Sequence, residues 1–592
     1  MTETTYHVGR WSLDDLILVK TGPGLERAFS VLDDAASTVE SWRGQLNGSL
    51  PKKAFAILVR DVERQAHAAA VLEGFSYLWF SEQTSNADAL ALRQRVDSRL
   101  ADARNRTLFV EHWWKALDEE TARRLLPAAG DAAYHFESLR RFAPYTLTEP
   151  AERAINIKDV NGIHGITTIY DMMESGFTFS LSIDGETKML TRSEVMVYAR
   201  DPDPAKRAAA YDALLRVFIA NKDVLAQLYK YTVSDWVEEN VKLRGMASPI
   251  AARNLANDVP DDAVDTLLEV CRENASVYHR FFRLKAQWIG MDRLRRCDIY
   301  ATLEPIVRKY SYDDAVRLVR RSFGDFHPRL ADLAERVFAA GHIDSQPRPG
   351  KDVVAFCYSV VPDKVPWICV NFSGGVQDVR SLVHELGHAV HSQLASEHSV
   401  LTWNSSLPLA ETASNFAQML LLQGLLDVDR DSAFRRYLLA QYVDESYAAI
   451  LRQAFFALFE RDAHRMVKEE SATADQLAAC YLDNLRGQFG SSVDVPDEFR
   501  WEWLMITHIY HTPFYCYAYP FGHLLVLALY EQYQREGASF VPRYLRILEQ
   551  GGSKAPLAIL DEAGFDVRSK EFWQGGFDVI SGMIDELEEL SG

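Results

Sequence analysis

Apolar residues recur every three to four positions along most of this chain, and the spacing predicts helix after helix. From residue 1 to about 145 the runs Leu25 to Trp42, Lys53 to Ser81, Ala87 to Leu117 and Asp118 to Phe142 all carry the pattern. Ser12, with Asp15 three residues on, reads as the N-cap of a shorter element before them. The period changes after Ile155. Phe177 to Ile183 alternates, Asp184-Gly185 carries a type I′ turn signal, and Glu186 to Leu190 alternates again, which predicts a β-hairpin. Thr191-Arg192-Ser193-Glu194 caps a return to helix, and residues 203 to 345 read as helical with Pro249, Pro260 and Pro305 at boundaries. Ser345 to Gly350 is a loop. Val353 to Val361 and Trp367 to Phe372 are strand-like, and the second reads either as a core strand or as one that pairs with an extended peptide. Ser373-Gly374-Gly375 then turns the chain into a further helix. The tail, Gly537 to Gly592, is helical around Gly551-Gly552-Ser553 and ends in an acidic run that suits a solvated helix face. The fold class is mostly α with a small β-sheet, without internal repeats.

The helix after Gly375 changes the picture from architecture to chemistry. It contains His384-Glu385-Leu386-Gly387-His388, an H-E-x-x-H pattern. Two histidines four apart project from one helix face, about one turn apart, and their ring nitrogens can meet at one tetrahedral zinc. Glu385 is then not a ligand but points at the water in the open position. The bland alternative is a pair of solvated histidines. The helical wheel argues against it: Val379, Leu382, Val383, Leu386, Val390 and Leu394 form one apolar stripe, with His384, Glu385 and His388 on the other side. That division suits a helix flooring a cleft. Gly387 is a poor helix former whose missing side chain would let a backbone or a substrate approach closely.

Catalytic zinc needs a third protein ligand and one open position. Leu394 occupies the place of a third histidine in the H-E-x-x-H-x-x-G-x-x-H pattern, and His391 replaces its glycine, which removes that subclass. Glu397 would point to the opposite face if the helix continued so far. Glu411 is better placed, early in a second helical run from Pro408 to Leu425. At these residues the chain resembles oligoendopeptidase F of the thimet oligopeptidase family of zinc peptidases. The resemblance rests on His-Glu-Leu-Gly-His-Ala-Val-His followed by Leu-Ala-Glu-Thr-Ala-Ser, and it carries the third zinc ligand onto Glu411. The family usually has a second glutamate seven residues later, where this chain has Gln418.

His508 to Tyr519 holds two histidines and four tyrosines in twelve residues. Such density most often marks a core. Beside a zinc site it also suits peptide hydrolysis, which needs hydrogen-bond donors aimed at the developing oxyanion. The stretch resembles H-F-Y-x-x-F-Y-x-Y of oligoendopeptidase F, and the resemblance carries substrate binding and oxyanion stabilisation onto His508 and onto Tyr510, Tyr515 and Tyr517 without choosing among the tyrosines.

Composition narrows the partners. A formal charge of −19 argues against nucleic acid and against an anionic membrane surface. The six cysteines form no C-x-x-C pair, as expected of free thiols in a reducing compartment. Met1 to Asp15 is polar, without the apolar core of a signal peptide, and runs such as Leu524 to Leu529 are too short to cross a bilayer. A cytoplasmic protein is expected. The resemblance implies a two-lobed zincin with a deep substrate channel that excludes folded proteins. It divides into a helical N-terminal lobe (1–145), a hairpin-containing connecting segment (146–200) and a catalytic domain (201–592). The expected activity is zinc-dependent endopeptidase action on short peptides, with one zinc per chain and Glu385 as general base. A metallocarboxypeptidase on a similar scaffold is the alternative, and a catalytically dead helical binding protein the rival from another class. The sequence does not set the oligomeric state.

Overall fold

The computed structural model of the chain describes residues 5–18, 20–303 and 308–591. Pro305, expected at an element boundary, and Met1 to Thr4 lie outside the described residues. The chain divides into two compact units, each assembled from three separated segments. The first comprises Met1–Ala143, Val307–Val428 and Gln532–Phe565; the second comprises Pro144–Ile306, Asp429–Glu531 and Asp566–Gly592.

The N-terminal periodicity becomes the helices Pro23–Glu40, Lys52–Glu82 and Ala87–Thr107 of the first unit. Two of the predicted runs are interrupted. Ala87 to Leu117 is split at Leu108, where Phe109–Ala116 begins. The run from Asp118 contains a 3-10 segment, Leu126–Ala132, where Pro127 cannot donate to a helix ladder and Gly130 adopts φ 60°. Ser12 caps a single turn instead of a helix: its Oγ accepts the Asp14 N–H at 3.2 Å, and Gly22-Pro23 starts the next element too soon for more.

Among the described residues there are seven short strands: β1 (Phe179–Ile183), β2 (Glu186–Leu190), β3 (Leu294–Arg295), β4 (Ile343–Asp344), β5 (Phe356–Tyr358), β6 (Trp367–Cys369) and β7 (Val493–Asp494). In the first unit the strand order is β4-β6-β5, with β6 parallel to β4 and antiparallel to β5. Only three residues of each predicted strand pair across β5 and β6, because Pro362 and Pro366 flank the ladder and offer no N–H. The sheet is buried against the N-terminal helices. Val361, Trp367 and Cys369 share one core with Leu32, Leu72, Phe75 and Leu78.

In the second unit β1 and β2 form the predicted hairpin, from Phe179↔Leu190 to Ile183↔Glu186. Asp184 at φ 54° and Gly185 at φ 83° supply the two positive φ angles that a type I′ turn requires. Thr191 and Glu194 then form a reciprocal capping box at the start of Arg192–Tyr198. Inside this unit the helices surround buried ion pairs, Arg207 with Asp298 at 2.9 Å and Arg296 with Glu502. Among the described residues no helix is long and apolar enough to cross a membrane.

Candidate active site

The H-E-x-x-H stretch lies on the helix Val376–Leu394 of the first unit. Its predicted apolar stripe is wholly buried: Val379, Leu382, Val383 and Leu386 have no exposed surface, and Val390 and Leu394 almost none. The stripe fixes the helix in the core, and the opposite face presents His384 and His388, their rings perpendicular with centroids 4.9 Å apart.

Glu411 comes to the same face by a close helix approach. The predicted run from Pro408 is broken at Glu411, which sits between a single turn, Leu407–Ala410, and the helix Thr412–Val428. A Cβ at Gly387 would lie 2.5 Å from Ser414 Cα and 2.8 Å from Ala413 O. Gly387 is therefore what lets the backbone just after Glu411 sit directly on the motif helix. Tyr544 holds that backbone from behind, donating to Thr412 O at 3.1 Å and stacking on Phe416 with centroids 4.3 Å apart.

Glu411 Oε2 then lies 3.3 Å from His384 Nε2 and 3.6 Å from His388 Nε2. One donor atom from each of the three residues falls within 4.8 Å of the others. Bonds of about 2.0–2.2 Å from a tetrahedral metal put neighbouring donors about 3.3–3.6 Å apart, so the donor set fits such an ion. Ser414 Oγ donates to Glu411 Oε2 at 2.7 Å and orients the carboxylate. Burial holds the His388 imidazole below its ordinary pKa, in the neutral form that a ligand needs. Glu397 lies beyond the end of the motif helix and is exposed.

Glu385 sits beside this donor set and is only 6% exposed. Burial, reinforced by the Glu411 carboxylate, pushes its carboxyl up to about 8, while the Cys357 N–H bonds to it and acts in the opposite direction. A cation held by the neighbouring residues would favour the charged form. The strand that supplies the Cys357 N–H is tied to the motif helix: Ser359 and Ser392 share a 2.6 Å hydrogen bond, and Ser392 Oγ also donates to His388 O at 3.1 Å. Together these groups line a cavity of about 610 Å³, which also receives His391, Trp403 and Asn404. Burial and the neighbouring His388 bring His391 down to about 4, so it is neutral there. His391 belongs to the conspicuous histidine motif, yet the sequence alone assigns it no role; its orientation into the cavity is a tertiary fact.

Residues 197–579 match peptidase family M3. The chain belongs to this family. The M3 family is one of metallopeptidases that hydrolyse peptide bonds, and His384, His388 and Glu411 form a site that could hold the metal. Over 98% of the chain and 87% of the relative it is 24% identical to oligopeptidase PepF of Bacillus subtilis. Two solved structures share the fold. A crystal structure of a candidate peptidase from Chlamydophila abortus has TM-score 0.90 at 21% identity, covering 98% of each chain. Oligoendopeptidase-F from Enterococcus faecium has TM-score 0.69 at 20% identity, covering 95% of this chain and 98% of that one.

The aromatic stretch of this M3 peptidase lies in the second unit. It contains a short helix, Thr507–His511, then a bend and a 3-10 turn, Tyr515–Tyr517. The four residues singled out from sequence separate into two kinds. Tyr510 and Tyr517 are buried, each 1% exposed. The Tyr510 ring stacks on Tyr170 with centroids 4.0 Å apart, and the Tyr517 hydroxyl accepts Asn257 Nδ2 at 2.9 Å. His508 and Tyr515 remain partly exposed and stack at 6.0 Å. Tyr519, to which the sequence assigns no role, joins them: its hydroxyl lies 3.2 Å from His508 Nε2, and its ring meets Tyr515 edge-on at 5.6 Å. The sequence signal for Tyr519 is present in the tyrosine density, but only the fold shows which tyrosines stay partly exposed.

Proposed function

We propose that the protein is a zinc-dependent endopeptidase of short peptides, with His384, His388 and Glu411 as ligands and Glu385 as general base. The observation that carries this reading is the convergence of three metal donors beside a buried carboxyl. Zinc, when bound, supplies a Lewis acid for the scissile carbonyl and lowers the pKa of a water towards neutrality. Glu385 takes the proton of the attacking water and passes it to the leaving amine. The Cys357 N–H orients the Glu385 carboxyl, so the proton-accepting oxygen points consistently. His508 and Tyr515 offer donors of the kind that a tetrahedral intermediate requires, a role supported by the resemblance and by their partial exposure, and Tyr519, bonded to His508, offers a further one. Short peptides as substrates are supported by the likeness to an oligopeptidase over 98% of the chain. Six free cysteines are consistent with a reducing, cytoplasmic setting.

The test is digestion of a peptide library, including peptides blocked at both ends, by the purified full chain before and after chelation. We expect internal cleavage read by mass spectrometry, its loss on chelation, its return with zinc and about one zinc per chain. Activity confined to free C-termini would select the carboxypeptidase alternative. Full activity in metal-free protein would overturn the metal assignment.

A further inference from the structure

The partly exposed group of His508, Tyr515 and Tyr519 lies on a segment with one backbone anomaly. Phe514 adopts φ 59° and ψ 18°, the left-handed conformation. A bulky aromatic residue there is strained and persists only where its surroundings enforce it. The bend lets Tyr515 turn outwards while Phe514 and Cys516, on either side, stay buried.

Three side chains hold this bend, all from the second unit. Arg253 and Asn257 lie four residues apart on the helix Pro249–Asn257 and so share one face. Arg253 Nε donates to Pro513 O at 3.1 Å, and Asn257 holds the Tyr517 hydroxyl. The third is Glu460, on the helix Leu451–Glu470. Its Oε1 accepts the Phe514 N–H at 2.8 Å, directly at the left-handed residue. One turn further along, the His464 ring lies against the Phe514 ring with centroids 4.5 Å apart. Glu460 has no exposed surface, and its second oxygen has no hydrogen-bond partner within the protein. Burying a carboxyl with so few partners is costly. A leucine would fill a similar volume without that cost, so what the carboxyl adds is the acceptor for Phe514.

We infer that Glu460 is a positioning residue for peptide hydrolysis: by accepting the Phe514 N–H it holds the left-handed bend that sets Tyr515 and Tyr519 around His508. Glu460 touches no substrate itself and acts through the loop. The inference rests on the reading that His508 and its tyrosines serve the reaction. Loss of the acceptor would let Phe514 relax into ordinary backbone space and turn the tyrosines away from His508, at little cost to the metal centre.

The experiment uses full-length, zinc-loaded enzyme and an internally quenched peptide, with kcat, KM, zinc content and thermal midpoint read for each variant. We expect Glu460→Leu to lower kcat about tenfold to a hundredfold, the scale of a misplaced catalytic group. KM should stay within about threefold, since the lost interaction belongs to the transition state. Glu460→Gln, which keeps an acceptor oxygen in place, should recover most of the lost kcat. In a Tyr515→Phe/Tyr519→Phe background, Glu460→Leu should add less than about a twofold further loss, because the hydroxyls that it positions are already gone. Effects that multiply in that background, or no rescue by glutamine, would overturn the inference and leave Glu460 a packing residue. Should Glu460→Leu fail to fold, Glu460→Asp decides. It keeps the carboxyl but is one methylene short of Phe514, so it must show the kcat loss, and a normal kcat would overturn the inference. If His508→Ala itself leaves kcat unchanged, the reading of the aromatic group fails and takes this inference with it. If His508→Ala is impaired and Glu460→Leu is not, only the inference fails.

Discussion

The metal donors and the aromatic group are built by opposite means. His384, Glu385 and His388 stand on an uninterrupted helix, Val376–Leu394, and their mutual placement follows from helical spacing alone. His508, Tyr515 and Tyr519 stand on a broken segment with a short helix, a left-handed bend and a 3-10 turn. Their placement depends on side chains from two other helices, through Arg253, Asn257 and Glu460. A regular element orders its functional groups by local hydrogen bonding, whereas an irregular one borrows its order from tertiary contacts. The three groups on the motif helix should therefore keep their mutual placement unless one of them is itself removed. The aromatic group should also fail when a distant support is removed.

The largest expected effect tests the one donor that lies off the motif helix. Glu411→Ala should lose most bound metal and nearly all activity, while Glu397→Ala should keep both, as metal analysis and peptide assay of the two variants will show. If Glu397→Ala empties the site instead, the ligand assignment is wrong.

Next in size is Glu385→Gln, which separates base from ligand within the regular helix. It should retain metal and peptide affinity while kcat falls by about 10²–10⁴-fold, the usual worth of general-base catalysis. Metal lost in step with activity would mean that Glu385 supports the ion.

The aromatic segment should show a smaller and divided response. Tyr515→Phe and Tyr519→Phe should each lower kcat about tenfold, less than the roughly 10²–10³-fold cost of removing a sole oxyanion donor, because the remaining donors share the developing charge. Tyr517→Phe should instead cost about 1–3 kcal/mol of stability, because Asn257 is left without its buried partner. Tyr510→Phe should be nearly silent in both, since its buried hydroxyl makes no hydrogen bond within the protein. Steady-state kinetics beside thermal melts of the four variants will show whether exposure, not sequence position, divides them.

The smallest effect concerns pH. Burial raises the Glu460 carboxyl to about 8 from an ordinary value of 4.5. The folded state therefore holds this proton where the unfolded chain has released it. The resulting stability is fully present below about pH 4.5 and is lost as pH rises through about 8. Glu460→Gln has no such proton, so its thermal midpoint should decline less steeply between those pH values than that of the parent protein. Parallel melting curves would mean that Glu460 is not buried as a neutral acid.

Much of this molecule is determined by local rules that the chain states openly. The 3.6-residue period marks the helices, Asp184-Gly185 marks the hairpin, and the apolar stripe from Val379 to Leu394 separates the buried face from the His/Glu face before any packing is known. Those signals are legible because they depend on neighbours within a few residues. The interruptions at Leu108, Gly130 and Glu411 are not legible in the same way, since a helix former tolerates a break wherever tertiary packing outweighs a propensity of less than about 1 kcal/mol. Only the fold shows why Gly387 is a glycine: the backbone it admits, at Ala413 and Ser414, is remote in sequence. Only the fold, likewise, turns Tyr510 and Tyr517 inwards and Tyr515 and Tyr519 outwards. Four tyrosines of identical chemistry differ by burial, and burial is decided by what the rest of the chain brings against them.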